Sequence, residues 1–288
     1  MKRFLVVAFL GVVSGCASQS PTSTGSPTAA SSDAGAGVAV ESPRLLYVGS
    51  STIANFIHEA ERPYGKARFI VDSVPESLGG ERALQDGNAD LAGVAWDPAE
   101  ETLALGIEAT LIGTDTIAVI VNEKNPVTGL SLEQLRGIFT GKTKNWKDVG
   151  GPDLEIVPLA VGRESATRPV FRVLALGGEP YAPDTRIVTP DSDMPMEVEA
   201  EPGAIGTISF SFLCSGGVVR VLNVDGAQPI PGDIDYPIVR PLYLLWRADN
   251  PKAAGFMDWV KSPPGQEVLA RCFGKARALP KMPRPSPE

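Results

Sequence analysis

The stretch that decides the fold runs from Asn122 to Gly151 and reads NEKNPVTGLSLEQLRGIFTGKTKNWKDVGG. Ser131 is followed three residues later by Gln134, the spacing of a capping box, in which each side chain bonds the backbone N–H of the other residue. The helix that this box opens is predicted to end at Ile138–Phe139, because Gly141 breaks the pattern. An apolar run typical of a strand precedes it, so the stretch indicates an α/β unit.

Short apolar runs alternate with helical periodicity on both sides of this stretch. Ile53, Phe56, Ile57 and Ala60 fall on one face of a predicted helix, and a second short helix is predicted over 79–85. The strand candidates cover 45–48, 69–71, 91–95, 117–121, 156–161, 204–208, 218–222 and 238–246. This order of elements predicts an α/β fold with a mostly parallel sheet.

Two polar turns connect a predicted strand to a predicted helix, at 49–52 and at 162–167. A helix N-terminus presents unpaired N–H groups and the positive end of its dipole, so an oxyanion placed there finds hydrogen-bond donors without a full cation. For either turn alone, ordinary N-capping by Ser or Thr is the alternative. Two such turns facing each other on separate lobes would instead form an anion site.

The chain begins with the pattern of an export signal. Lys2 and Arg3 precede a short apolar run that ends in Val-Ser-Gly-Cys16, the order of a basic region, a hydrophobic region and a cleavage site. This ending resembles the lipobox of bacterial lipoproteins, in which the cysteine receives a diacylglycerol; a plain signal peptide with an incidental Cys16 is the alternative. Residues 1–16 are therefore predicted to be a lipoprotein signal, and residues 17–43, rich in Ser, Thr, Ala, Gly and Pro, a disordered tether.

Composition narrows the classes of partner and of chemistry. The formal net charge of −8 repels phosphate backbones and anionic headgroups, so we expect no nucleic-acid binding and a membrane contact only through the lipid. His58 is the single histidine, which argues against a metal site, and neither a cofactor nor enzymatic catalysis is expected. Cys214 and Cys272 could form a disulfide in an oxidising compartment or remain two buried thiols.

The Asn122–Gly151 stretch resembles the hinge and second-lobe signature of the phosphate-binding proteins of bacterial ABC importers. Supporting stretches in the same order are Gly49–Ile53, Gly87–Leu91, Pro202–Gly206, Tyr236–Leu244 and Ser262–Gln266. The resemblance implies a two-lobed periplasmic-binding-protein type II fold, in which each lobe is a mixed sheet flanked by helices and two crossover strands join the lobes. Lobe one would comprise 44–122 with 237–288, and lobe two 123–236.

The resemblance also implies a set of ligand contacts, because the family's binding motifs fall on the polar turns. Arg163 would be the charged partner of the oxyanion, able to bond it through two N–H groups. The full set of implied contacts is Ser51, Thr52, Ser77, Arg163, Ser165, Ala166 and Thr167.

Three departures from the family's pattern bear on the ligand. Ala95 stands directly after the predicted third strand. Phosphate-binding members that have an Asp at this place use the carboxylate to accept a proton from the ligand and so reject sulfate. The loop from Arg163 is shorter than usual, and Ala166 replaces a Gly. Asp97 and Glu164 are nearby carboxylates that could replace the missing acceptor.

Taken together, the resemblance implies an exported, monomeric solute-binding lipoprotein of the cell envelope or periplasm. It would capture phosphate, or a similar small oxyanion, between two lobes for an ABC permease in the inner membrane. The alternative is a phosphate-binding-like protein whose ligand specificity is altered or lost and which acts in sensing or envelope organisation.

Overall fold

A computed structural model of the chain describes residues 42–214 and 216–282. The predicted signal with Cys16, and the tether up to residue 41, lie outside the described residues. The strands are β1 (Arg44–Gly49), β2 (Arg68–Asp72), β3 (Leu91–Val94), β4 (Ile107–Asn122), β5 (Gly129–Leu130), β6 (Val157–Val161), β7 (Arg186–Val188), β8 (Ala204–Ser209), β9 (Val219–Val224) and β10 (Val239–Arg247). The helices are α1 (Ser51–Tyr64), α2 (Glu76–Gln85), α3 (Glu100–Leu103), α4 (Leu132–Phe139), α5 (Thr167–Leu174), α6 (Met194–Ala200), α7 (Pro251–Lys261) and α8 (Pro263–Leu269).

The strands pair in the order β2-β1-β3-β10-β4-β8-β6-β7, while β9 pairs with β4 and with β5. The outer pairs β1–β2, β1–β3, β6–β8 and β6–β7 are parallel. β10 is antiparallel to both β3 and β4, and β4 is antiparallel to β8 and β9. The sheet is therefore mixed, as the resemblance implies, and not mostly parallel as the order of elements alone suggests.

The buried side chains form three cores. The first core lies around β1, β3 and α1 and includes Leu45, Tyr47, Phe56, Trp96, Ile112, Leu242 and Phe256. The second core includes Ile117, Val119, Val121, Leu135, Phe139, Trp146, Phe171 and Val239, and the third includes Ala118, Ile120, Leu159, Val161 and Met194. Successive residues of β4 alternate between the second and third cores, because side chains of a strand point alternately to the two faces of its sheet.

Two strands pass from the first core into the others. Along β4, Ile112 packs in the first core and Ile117 in the second; along β10, Val239 packs in the second core and Leu242 in the first. These strands are hydrogen-bonded to each other, with Arg240 opposite Asp115 in the register. The arrangement matches the two crossover strands of the type II fold and places Asp115 and Arg240 where the chain changes core.

Cys214 and Cys272 form a disulfide, with their Cα atoms 5.9 Å apart. Cys272 packs against the first core, while Leu213, the neighbour of Cys214, packs against the third. The bond therefore joins two cores independently of the crossover strands. No helix within residues 42–214 and 216–282 combines the length and apolar character needed to cross a membrane.

Candidate ligand cleft

The first polar turn delivers Ser51 and Thr52 to the start of α1. Gly49 precedes it with φ +138°, and a Cβ there would lie 2.4 Å from the Gly93 oxygen, so only glycine allows β1 and β3 to approach this closely. Thr52 is 2% exposed, and its hydroxyl accepts a hydrogen bond of 2.9 Å from Nη2 of Arg240. The start of α1 is thereby fixed to a crossover strand.

The start of α2 supplies a carboxylate beside that turn. Glu76 adopts φ 53°, a left-handed conformation that non-glycine residues rarely adopt, and it is buried. Its Oε2 accepts the backbone N–H of Ser51 at 3.1 Å. Ser77 is fully buried, and its hydroxyl oxygen accepts the N–H of Ala95 at 3.3 Å, which leaves the hydroxyl proton available to donate.

A buried ion pair forms between the crossover strands. Nη2 of Arg240 lies 2.8 Å and Nε 2.9 Å from Oδ2 of Asp115, and the side chains are 1% and 0% exposed. The other carboxylate oxygen accepts the Ser209 hydroxyl at 2.7 Å. Ser209 Oγ lies 2.9 Å from Ser211 Oγ, which accepts from Asn55 Nδ2 at 3.1 Å. Since Asn55 and Thr52 are both on α1, these bonds close a circuit through α1, both crossover strands and the end of β8.

The second polar turn contributes a residue to the first core. Ala166, directly before α5, packs in the first core, although Val170 and Phe171 of α5 pack in the second. The Ser165 hydroxyl donates to Oδ2 of Asp191, and the Thr167 N–H donates to Ser165 Oγ at 3.3 Å. Thr167 is 1% exposed. Its buried hydroxyl has no hydrogen-bond partner among the described residues.

The charge of Asp191 acts on Glu76. Burial, reinforced by the charge of Asp191, raises the pKa of Glu76 to about 7, against the opposing effects of its Ser51 hydrogen bonds and of Arg240. Burial also raises the pKa of Asp191 to about 6, opposed by the Ser165 hydrogen bond and by Arg240. The charge of the buried Arg240 guanidinium therefore opposes the rise in pKa of two acidic groups from different parts of the chain.

Arg163 does not lie in this arrangement. It is exposed and lines a surface pocket with Arg168, Arg172 and Tyr181, where the Arg168 guanidinium lies 4.5 Å from the Tyr181 ring centroid. Arg163 is therefore exposed in this structure, and its role as the charged partner of an oxyanion stays a prediction. Arg240, in contrast, is buried and bonded to Thr52.

The suggested replacements for the acceptor missing at Ala95 are also placed elsewhere. Asp97 accepts the Tyr243 hydroxyl at 3.1 Å and the Met282 N–H at 2.7 Å, so both of its oxygens have protein donors. Glu164 is exposed. Trp96 is 1% exposed and packs in the first core. Within the described residues, no group of three or more His, Cys, Asp or Glu is placed to hold a metal ion.

A family model described as a PBP superfamily domain matches residues 21–264. The chain belongs to this superfamily. It is 27% identical over 272 residues to the phosphate-binding protein PstS of Bacillus subtilis strain 168, covering 90% of this chain and 87% of the relative. It is also 25% identical over 265 residues to PstS of Pseudomonas aeruginosa PAO1, covering 80% of this chain and 82% of the relative.

Solved structures of PBP superfamily members share the fold. A Clostridium perfringens protein, assigned to phosphate ABC transport and crystallised with bound phosphate, superposes with a TM-score of 0.74 at 26% identity, covering 81% of this chain and 100% of that one. A phosphate transport receptor from Vibrio cholerae gives a TM-score of 0.63 at 27% identity, covering 78% and 96%. These likenesses confirm the recognised family and its type II fold.

In this PBP superfamily member, the sequence pointed to some residues of the hydrogen-bonded arrangement described above and not to others. The polar turns gave Ser51, Thr52, Ser165 and Thr167. The missed residues are Glu76, Asp115, Asp191, Ser209 and Arg240. For Arg240 the sequence did contain a signal, a charged residue inside an otherwise apolar strand. A buried charge requires a partner, so this residue indicated a buried ion pair.

Proposed function

We propose that the chain is an exported receptor that captures inorganic phosphate, or a similar small oxyanion, between its two lobes and delivers it to an ABC permease. The observation that carries this function is the arrangement of α1, α2, α5 and Arg240. The starts of α1, α2 and α5 each carry a buried hydroxyl, those of Thr52, Ser77 and Thr167. The buried guanidinium of Arg240 bonds Thr52, and its charge acts on Glu76 of α2 and on Asp191, the partner of Ser165. The named relatives are phosphate-binding proteins, which supports the same ligand class.

In this proposal lobe one takes 44–122 with 237–288, and lobe two takes 123–236. The change of core lies inside lobe one as so bounded, between Ile112 and Ile117 on β4 and between Val239 and Leu242 on β10. Closing such lobes about their crossover strands brings donors from both around a small ligand. The receptor acts as a monomer and has no catalytic role.

The proposed ligand contacts are the hydroxyls or N–H groups of Ser51, Thr52, Ser77, Ser165, Ala166 and Thr167, with Arg240 as the charged group. Arg240 already bonds Asp115 and Thr52. It therefore neutralises the charge of a bound anion mainly at short range and does not act as a free cation. Helix dipoles provide the remaining positive potential, each contributing roughly 0.3–1 kcal/mol or somewhat more when partly buried.

Calorimetric titration with inorganic phosphate tests this function. We expect the purified protein to bind phosphate, and Thr167→Val to weaken binding roughly tenfold or more, because a hydrogen bond from a hydroxyl to a charged acceptor contributes about 1.5–3 kcal/mol. The matched control is Thr185→Val, since the Thr185 hydroxyl also lacks a partner but lies in the Arg163 pocket. Absence of phosphate binding, or equal effects of the two variants, would contradict this function or this site.

The proposed attachment to a membrane runs through Cys16. We expect Cys16→Ser to move the protein from the membrane fraction of a bacterial host to the soluble fraction, because one residue carries the lipid. Mass spectrometry of the wild-type N-terminal peptide should show a diacylglyceryl group. A wild-type peptide without lipid, with unchanged fractionation of the variant, would exclude this anchor.

A second function has one observation in its favour. Glu76 and Asp191 place two carboxyl groups in a cleft that would hold a dianion. This is consistent with a receptor whose ligand differs from that of its relatives. Such a receptor would act in sensing or envelope organisation. Native mass spectrometry of the protein as purified separates the two, since a retained mass other than phosphate would favour the altered ligand.

A further inference from the structure

One surface pocket brings together residues that the sequence singles out and the proposed function leaves unused. Its volume is about 440 Å³, and its walls come from α1, from the end of α8 with the residues after it, and from the segment after β8. His58, the single histidine of the chain, lines this pocket together with both cysteines of the disulfide, Cys214 and Cys272. The lining residues include none of the ligand contacts proposed above.

The disulfide is only partly covered by the rest of the molecule. Cys214 and Cys272 are half-buried, and three other lining residues, His58, Glu59 and Arg271, are exposed. Thiol–disulfide exchange requires that an attacking thiolate reach one of the two sulfurs. The pocket provides that access in the folded protein, which the interior of a core would not.

The groups around the sulfurs suit the reduced cysteines as well as the bond. The backbone oxygens of Phe210 and Arg271 lie 3.6 and 4.0 Å from Cys214 Sγ. A disulfide sulfur has no proton to donate, whereas a thiol is a weak donor, so reduction supplies a donor to acceptors already in place. Arg271 precedes Cys272 and lines the same pocket, and a cation beside a cysteine favours the thiolate that exchange produces. The Glu59 carboxylate, 3.2 Å from Nη1 of Arg271, offsets part of that charge.

This pocket is connected to the cleft through α1. Asn55 Nδ2 donates to Ser211 Oγ at 3.1 Å, both residues line the pocket, and Ser211 belongs to the hydroxyl network that reaches the buried ion pair. Cys214 follows Ser211 by three residues and is bonded to Cys272. The disulfide and the Asn55–Ser211 bond therefore hold the segment after β8 to lobe one, beside the helix whose start supplies two of the proposed ligand contacts.

We propose that this pocket is a thiol–disulfide exchange site, at which a dithiol reduces Cys214–Cys272 in the folded protein and thereby weakens the binding of the oxyanion in the cleft. The effect on binding rests on the proposed function. The thiolate of the dithiol attacks one cysteine sulfur, the S–S bond breaks, and the other cysteine leaves as a thiolate. The second thiol then displaces the first cysteine. The dithiol leaves as a disulfide, and the two cysteines take up its two protons and two electrons.

Reduction weakens binding because it removes a link that favours the present arrangement of the polar turns. Ala166, directly before α5, packs in the first core with residues of α1, so the two turns are drawn together in this structure. An apparent dissociation constant rises in proportion to the fall in the population of the binding-competent conformation. Because coupling between two sites is reciprocal, an oxyanion in the cleft must protect the disulfide from reduction by the same factor.

Thiol counting and calorimetry on the same samples test the exchange site. The native protein is equilibrated with mixtures of reduced and oxidised dithiothreitol, its free thiols are alkylated and counted by mass spectrometry, and circular dichroism reports whether it remains folded. We expect reduction to weaken the affinity for inorganic phosphate roughly threefold or more. Saturating phosphate should raise the dithiol-to-disulfide ratio at half-reduction by the same factor. Reduction rates with dithiothreitol and with a protein carrying a reduced Cys-x-x-Cys pair distinguish a small dithiol from a protein dithiol.

Variants separate the pocket from general effects. Arg271→Gln should slow reduction roughly twofold or more, because it removes the cation beside the sulfurs. Arg68→Gln is the matched control and should leave the rate unchanged, since Arg68 also forms an exposed ion pair with a glutamate of α1, Glu61. Cys214→Ser with Cys272→Ser should bind phosphate as the reduced wild type does and should not respond to the dithiol.

Two results would overturn the exchange site and leave the proposed function standing. One is a disulfide that resists reduction until the protein unfolds. The other is an equal phosphate affinity of the oxidised protein and the folded, reduced protein, with no shift of the half-reduction ratio by phosphate. If the oxidised wild type binds no phosphate, the proposed function fails and the coupling fails with it.

Discussion

Arg240→Met is expected to lower the free energy of unfolding by about 3–5 kcal/mol, the cost of leaving one member of a buried ion pair without its partner. Asp115 is fully buried beside Arg240. Burial raises the pKa of Asp115 even with the guanidinium opposing it, so removal of Arg240 would leave a carboxyl that must be protonated or remain unpaired. Urea unfolding at neutral pH measures the loss.

Two further variants separate this charge effect from a loss of packing. Lys142→Ala removes an exposed ion pair with Glu179 and should change stability little, because solvent screens such pairs. Asp115→Asn combined with Arg240→Met removes both charges of the pair and keeps an oxygen for the Ser209 hydroxyl, so it should recover more than half of the loss. A single Arg240→Met as mild as Lys142→Ala would mean that the pair does not support the fold.

Much of the fold could be predicted because its signals are local. The Ser131–Gln134 capping box is confirmed in both directions, with Gln134 N–H donating to Ser131 Oγ at 3.1 Å and Ser131 N–H donating to Gln134 Oε1 at 2.8 Å. The predicted strands over 45–48, 69–71 and 204–208 appear within one residue of their expected ends. Periodicity and capping depend on a few neighbouring residues, which a single sequence contains.

The charged part of the cleft could not be predicted, because it is assembled from distant residues. Arg240 and Asp115 are 125 positions apart, and only the register between β10 and β4 brings them together. Glu76 was missed for a different reason. The short helix was predicted to begin at Gly79, whereas it begins at Glu76. The backbone of Glu76 is in the left-handed region, which residues other than glycine rarely adopt.

Removal of the Cys214–Cys272 disulfide is the second large effect expected, a loss of about 4 kcal/mol of unfolding free energy in the chain-entropy treatment of a loop of this size. The two cysteines are separated by 58 residues, so the bond excludes many extended conformations of the unfolded chain. Cys214→Ser with Cys272→Ser, compared with the wild type in urea, measures the difference. A dithiol reductant should destabilise the wild type by a similar amount and leave the double variant unchanged.

The same bond is expected to restrict the movement of the lobes. Crossover strands permit closure because they are the flexible connection between lobes. The Cys214–Cys272 disulfide adds a covalent link from the first core to the segment that packs on the third core. A dithiol converts it to two thiols while itself becoming a cyclic disulfide. Small-angle X-ray scattering of the ligand-free protein should then give a larger radius of gyration under conditions where the protein remains folded. Reduction that lowers stability without changing that radius would show that the bond acts on the unfolded chain and leaves the range of lobe opening to β4 and β10 alone.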